Sequence, residues 1–161
     1  MIKVHPGSLT AMVAAQCTSV GWRDADVEEW CYILGITPDS LYDAFVGGLK
    51  YSTEIRTASL DGSFEDAIAV WGVGPSGKPG VGNVWLIATK LADQHGAALH
   101  RAALKNDLMS EMADGWLHLE AYVYPRNALH IKWLKLLGFF KTDTKPPFNI
   151  PPDVEVWRRN T

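Results

Sequence analysis

The apolar and polar positions divide the chain into helical and extended stretches. The clearest helical period is DADVEEWCYILG: Val27, Trp30, Cys31 and Leu34 recur at i, i+3, i+4 and i+7, acidic residues crowd the first turn, and Gly35 marks the stop. TPDSLYDAFVGGLK repeats this grammar, with Thr37 as cap, Pro38 in the first turn and Gly47-Gly48 near the end. Ahead of both, IKVHPG predicts a short strand ended by Pro6-Gly7, and SLTAMVAAQC a helix capped by Ser8. After residue 50 the period shortens, and STEIRTASLDGSFEDAIAVWGVG predicts two strands joined through Asp61-Gly62. The stretch GPSGKPGVGN predicts an exposed hairpin loop, and VWLIATKL a central strand.

ADQHGAALHRAALKNDLMSEMADG predicts one helix, with Leu104, Leu108 and Met112 at every fourth position and Gly115 at its end. WLHLEAYVY alternates, placing Leu117, Leu119, Ala121 and Val123 on one face and His118, Glu120, Tyr122 and Tyr124 on the other. In PRNALHIKWLKLLGFF, residues 125–140, Pro125 ends that strand and Asn127 is available as a helix cap. Leu129, Trp133, Leu136 and Leu137 form an apolar stripe that Ile131 and Leu134 widen, Lys132 and Lys135 mark the solvent side, and Gly138 ends the helix. Trp133 and Phe139 are therefore core candidates. The tail, residues 141–161, has four prolines before VEVWRR, which predicts a last strand. The order β-α-α-β-β-β-α-β-α-β-β is a mixed α/β arrangement.

Length and charge narrow the function classes. A chain of 161 residues suffices for one domain spanning residues 1–161. With 47% hydrophobic and 20% charged residues and a net charge of -3, the composition is that of a soluble globular protein without a basic nucleic-acid surface. Cys17 and Cys31 fall in helical stretches and are expected to be reduced, in a cytoplasmic setting. The N-terminal residues lack the organisation of a signal peptide, so the protein is expected not to be secreted, and no apolar run approaches the roughly 20 residues of a membrane span. The five histidines show no metal-ligand spacing, and neither a Gly-x-Ser-x-Gly elbow nor a Walker loop occurs.

Two motifs carry a resemblance. A fourth strand that runs into a glycine-containing turn and a helix, followed by a fifth strand that runs into Asn-x(10)-Gly-Phe, resembles the GCN5-related N-acetyltransferase (GNAT) fold. The resemblance covers most of the chain and is most specific over residues 84–140. It implies a central twisted mixed sheet of six to seven strands flanked by about four helices. In that family the turn after the fourth strand reads Arg/Gln-x-x-Gly-x-Gly/Ala and holds the pyrophosphate of acetyl-coenzyme A at a helix N-terminus. The matching run is Asp93-Gln-His-Gly96-Ala97-Ala98, so the resemblance implies Gly96, Ala97 and Ala98 as cofactor contacts and acetyl-coenzyme A as the cofactor. Asp93 departs from the pattern by placing a carboxylate beside the phosphates. The plainer reading makes Asp93 a helix cap and lets Gly96 and Ala98 serve close packing.

The second motif, Asn-x-x-Ala-x-x-Leu-Tyr-x-Lys-x-Gly-Phe in the family, keeps its register here from Asn127 to Gly138 and Phe139. Asn127 is thereby either a cofactor contact or a cap. The tyrosine that protonates the leaving thiolate in many members falls on Leu134, which cannot act as a general acid. For a base, Glu120 is the candidate if a desolvated cleft raises its pKa, although a polar network with no catalytic role fits the same face. No catalytic residue is assigned.

More narrowly, Asn127-Ala-Leu-His130-Ile131-Lys132-Trp133-Leu134-Lys135-x-x-Gly138-Phe139 is similar to GNAT-like proteins of tailed bacteriophages, among them the internal virion proteins of short-tailed phages. This implies a catalytically degenerate member that works by contact with other virion or assembly proteins, or with a second copy, in the virion or host cytoplasm. The alternatives are an active acetyl-coenzyme A-dependent N-acetyltransferase on a small-molecule or protein amine, and a coenzyme A sensor without turnover. Trp22 and Trp157 are candidates for partner contact, with packing as the plainer use. An open V between the fourth and fifth strands, with an accessible turn, would favour the enzyme.

Overall fold

The computed structural model describes residues 1–6, 21–61, 66–105 and 107–161, so the expected helix from Ser8 and the tip of the Asp61-Gly62 hairpin lie outside the described residues. Seven strands form one open mixed sheet: β1 (Ile2–Pro6), β2 (Glu54–Leu60), β3 (Ala67–Pro75), β4 (Val81–Ala88), β5 (His118–Val123), β6 (Phe140–Lys141) and β7 (Glu155–Asn160). Their spatial order is β1-β2-β3-β4-β5-β7-β6. All neighbours are antiparallel except β4 and β5, which are parallel. One face carries α1 (Asp24–Leu34) and α2 (Leu41–Tyr51), which enclose Phe45, Leu49, Val70 and Ile87. The other carries α3 (Leu91–Lys105), α4 (Leu108–Ala113) and α5 (Ala128–Leu136), over Trp71, Leu119, Ala121, Val123 and Trp133. The mixed α/β architecture expected from the sequence is the one observed.

β3 is buried on both faces, which accounts for its apolar run, and it pairs with β4 from Gly82 to Ala88. Gly72 lies opposite Trp85, and a methyl group there would stand 2.7 Å from the indole. That ring cannot move aside easily. Its Nε1 donates to Ser52 Oγ at 2.7 Å and it meets Trp30 and Phe45 edge-on. Gly72→Ala is expected to lower the unfolding free energy by about 1–3 kcal/mol through overpacking, measured by urea denaturation.

Several expected details are corrected. The long helix after β4 is two helices, because Asp107 adopts φ 47 and starts a new turn in which Ser110 Oγ bonds its carboxylate. Leu104 is exposed in consequence, while Leu108 and Met112 are buried. Leu117 precedes β5 and is exposed, although Leu119, Ala121 and Val123 face the core as the alternation requires. β4 starts earlier than expected, at Val81, so the glycine-rich loop shrinks to a tight connection. Leu136 is exposed, but Trp133, Leu134 and Phe139 are buried. Trp157 is 4% exposed and belongs to the core, which removes it as a contact residue, and Trp22 packs on the Phe45 ring at 5.4 Å.

Candidate functional site

β4 and β5 pair only at Val81↔His118, Gly82↔Leu119 and Asn83↔Glu120. Beyond that point β4 stays on β3 to Ala88 and β5 stays on β7 to Val123, so the two strands diverge into a V. Strand edges that part inside a protein leave amides and carbonyls that need partners. The V is lined from α1. Arg23 N–H donates to Ala88 O at 2.9 Å and Lys90 N–H to Gly21 O at 3.0 Å, an antiparallel bridge that sets Trp22 opposite Thr89 at the end of β4.

The first turns of α1 then enter the gap. Asp26 Oδ2 accepts the Ala88 N–H at 2.7 Å, while its Oδ1 accepts Arg23 Nη1 at 2.8 Å and Asn127 Nδ2 at 3.0 Å. One turn later Glu29 Oε2 accepts the Tyr124 N–H at 2.9 Å, at the end of β5, and its Oε1 meets His130 Nδ1 at 2.7 Å. Trp30 Nε1 donates to Leu86 O at 2.9 Å. One helix thus occupies edge groups of both arms, through side chains that are i, i+3 and i+4 neighbours on one side.

All five polar members of this network, Arg23, Asp26, Glu29, Asn127 and His130, are buried. Burial holds the Asp26 carboxyl above the usual carboxylate range, against the Arg23 charge and the Asn127 and Ala88 donors that favour the anion. Burial alone would push His130 down, but the Glu29 charge and hydrogen bond, with Asp26 beyond, hold it above the usual histidine value. Each half sets a basic group beside a carboxylate, Arg23 with Asp26 and His130 with Glu29, the pairing that burial requires.

Two cavities flank the V. On the α1 side a space of about 200 Å³ is lined by Glu29, Trp30, Ile33, Asn83, Trp85 and Tyr122. On the other side a slot of about 60 Å³ lies between α3 and α5, lined almost wholly by apolar side chains that include Trp71, Leu99, Trp133 and Leu134. Val84, Leu86 and His130 line both. Neither reaches the roughly 300–1,000 Å³ usual for small-molecule sites.

The residues singled out by sequence fall as follows. Gly96, Ala97 and Ala98 lie in the second turn of α3, which already begins at Leu91, so their N–H groups fall past the four that a helix leaves free. Gly96 faces α5, where a methyl group would stand 3.4 Å from Trp133. At the start of α3 the Lys90 N–H goes to Gly21 O, and the Ala92 and Asp93 N–H groups go to Thr89 O and Lys90 O. Asp93 makes no cap there; its Oδ1 accepts Arg23 Nε at 2.8 Å. Few donors at this turn remain for a pyrophosphate. Asn127 caps α5 by accepting the His130 N–H at 3.3 Å, and its amide faces Asp26 rather than the turn before α3.

Leu134, at the position of the proton donor, is 4% exposed in the core under the slot. Glu120 is fully buried between Lys78 Nζ and Arg158 Nη2, each at 2.8 Å. Burial favours its neutral form, but these two cations outweigh it and hold its pKa below the usual range, the reverse of what a base would need. Among the described residues no group of histidine, cysteine and carboxylate side chains could hold a metal ion, and no helix is long and apolar enough to cross a membrane.

The overall topology has close counterparts of known structure. The aminoglycoside acetyltransferase AAC(6')-Ib, solved with ribostamycin and coenzyme A, superposes with a TM-score of 0.63 at 16% identity over 99% of this chain and 93% of that one. A Bacillus subtilis acetyltransferase in complex with coenzyme A gives 0.62 at 14% identity over 100% and 99%. The ribosomal-protein-S18-alanine N-acetyltransferase of Escherichia coli gives 0.62 at 16% identity over 99% and 94%. The chain has the GNAT fold. Identities this low carry the fold and not the activity. No family model and no curated protein matches the sequence.

Within the GNAT fold the V and the helix that follows β4 are the places where cofactor chemistry would be sought. Here the network on α1 occupies the V. Sequence reasoning missed Asp26 and Glu29 because their helix was aligned on Val27, Trp30, Cys31 and Leu34. The signal that could have found them is the spacing of Asp26, Glu29, Trp30 and Ile33, which puts two carboxylates on the same side as two apolar residues.

Proposed function

We propose that this chain uses the GNAT scaffold for protein–protein contact, as a catalytically degenerate assembly or virion structural protein, without acetyl transfer. The observation that supports this most is the occupation of the wide end of the V by the chain itself: Asp26, Arg23 and Trp30 bond the edge of β4 at Leu86 and Ala88, and Gly21 occupies the first amide of the following turn. A flexible amide-bearing cofactor arm would have to displace charge-assisted hydrogen bonds to lie there. Leu134 in the core adds that the proton-donor position lacks an ionisable group. The link to virion proteins rests on the run from Asn127 to Phe139.

Thermal melts test this. Excess acetyl-coenzyme A is expected to leave the melting temperature unchanged, whereas occupancy at 100 times Kd would add about 2.7 kcal/mol. A clear upward shift would sink the proposal, and coenzyme A release in the presence of amines would then separate enzyme from sensor.

The second reading is an acetyl-coenzyme A-dependent N-acetyltransferase on a small-molecule or protein amine. In that reading Gly96, Ala97, Ala98 and Asn127 contact the cofactor.

A further inference from the structure

We infer that copies of this chain associate head to tail, the acidic α1–α2 face of one against the basic α5 face of the next, an inference that rests on the contact function proposed above. Residues 24–49 contain six carboxylates and no lysine or arginine. Two are consumed in the V and Asp24 faces Lys90 Nζ at 3.8 Å, while Glu28, Asp39 just before α2 and Asp43 in its first turn are exposed. Residues 125–142 are the converse, with no carboxylate and with Lys132 and Lys135 exposed on α5, while Lys141 pairs with Glu155 Oε1 at 2.6 Å and Arg126 lies over Tyr124, beside Tyr32 of α1. Residues 7–20 carry no charge and cannot offset either patch.

Each patch also holds exposed apolar side chains, Leu34 and Tyr42 on the acidic side and Leu136 and Phe140 on the basic side. Complementary potentials steer association, and a few apolar side chains at the centre hold it. The helices that carry them, α1 and α2 against α5, pack on opposite faces of the sheet. A two-fold dimer would bring each patch against itself and like charge against like. A heterologous contact joins acid to base and leaves one of each patch free, so it propagates into a ring or an open filament.

Sedimentation and light scattering of the full chain test the inference. At about 0.05 M salt the weight-average mass is expected to more than double with increasing concentration, and to return to that of one chain near 1 M, where charges are screened over about 3 Å. Lys132→Glu/Lys135→Glu and Asp39→Lys/Asp43→Lys are each expected to stay single, with unchanged circular dichroism, because each turns one interface into like against like. An equal mixture of the two is expected to assemble again, in strict alternation. A wild-type mass that stays at one chain at low salt, or variants that assemble alone as the wild type does, would overturn the inference. The melt with acetyl-coenzyme A reads the parent proposal separately, since a single chain that ignores the cofactor refutes the assembly and leaves that proposal standing.

Discussion

Asp26→Ala is expected to lower the unfolding free energy by about 3–5 kcal/mol, as the loss of one partner from a buried ionic cluster does. The substitution removes an acceptor from three buried donors at once: the Ala88 N–H, the Arg23 guanidinium and the Asn127 amide. Arg23 keeps Asp93, but that carboxylate is 59% exposed and cannot replace the partner inside the V. Asp26→Asn should recover part of the loss, because an amide oxygen can still accept from Ala88 N–H. Urea denaturation of the three proteins gives the measurement, and an alanine variant within 1 kcal/mol of wild type would mean that water fills the V and that α1 is not what closes it.

Glu29→Gln reverses the sign of a pH dependence. In the wild type the His130 pKa stands above its unfolded value because of Glu29, so the pair contributes fully below about pH 6.5 and its contribution is lost as pH rises through the folded pKa. The slope is at most about 1.4 kcal/mol per pH unit for one proton. Glutamine keeps the acceptor for Tyr124 N–H but removes the charge, and burial then dominates and depresses His130 below the unfolded value. The variant's stability should rise with pH up to about 6.5, whereas the wild type's falls above it. The cost of the substitution is expected to be about 3 kcal/mol near pH 6 and clearly smaller near pH 8.5. Parallel slopes in the two proteins would show that Glu29 does not set the charge of His130.

What could be read from the sequence divides by distance along the chain. The α5 cap was legible because Asn127 and His130 are neighbours in one turn, and the Leu119, Ala121, Val123 face because alternation is local. The helical character of α1 was equally local, but its buried face was not. A period of apolar residues assumes that the helix packs on a continuous apolar surface, whereas α1 meets a gap whose walls are backbone donors. Glu120 failed for a related reason. Its place on the face opposite Leu119 and Ala121 followed from alternation, but its burial and the sign of its pKa shift depend on Lys78 and Arg158, brought there by a hairpin and by the last strand. The end of α3 at Lys105 depended on one backbone angle at Asp107, which the leucine spacing runs straight through.

The carboxylates of α1 also constrain the order of folding. Asp26 is separated from Ala88 by 62 residues, Glu29 from Tyr124 by 95, and Asp26 from Asn127 by 101. No early, local collapse can satisfy them, since each contact must first overcome the entropy of a long closed loop. On the ribosome α1 emerges with its two acids in water and must wait for β5 and α5 before they are enclosed. The V closes late, and the first helices to be made remain open to other partners until the last strands arrive.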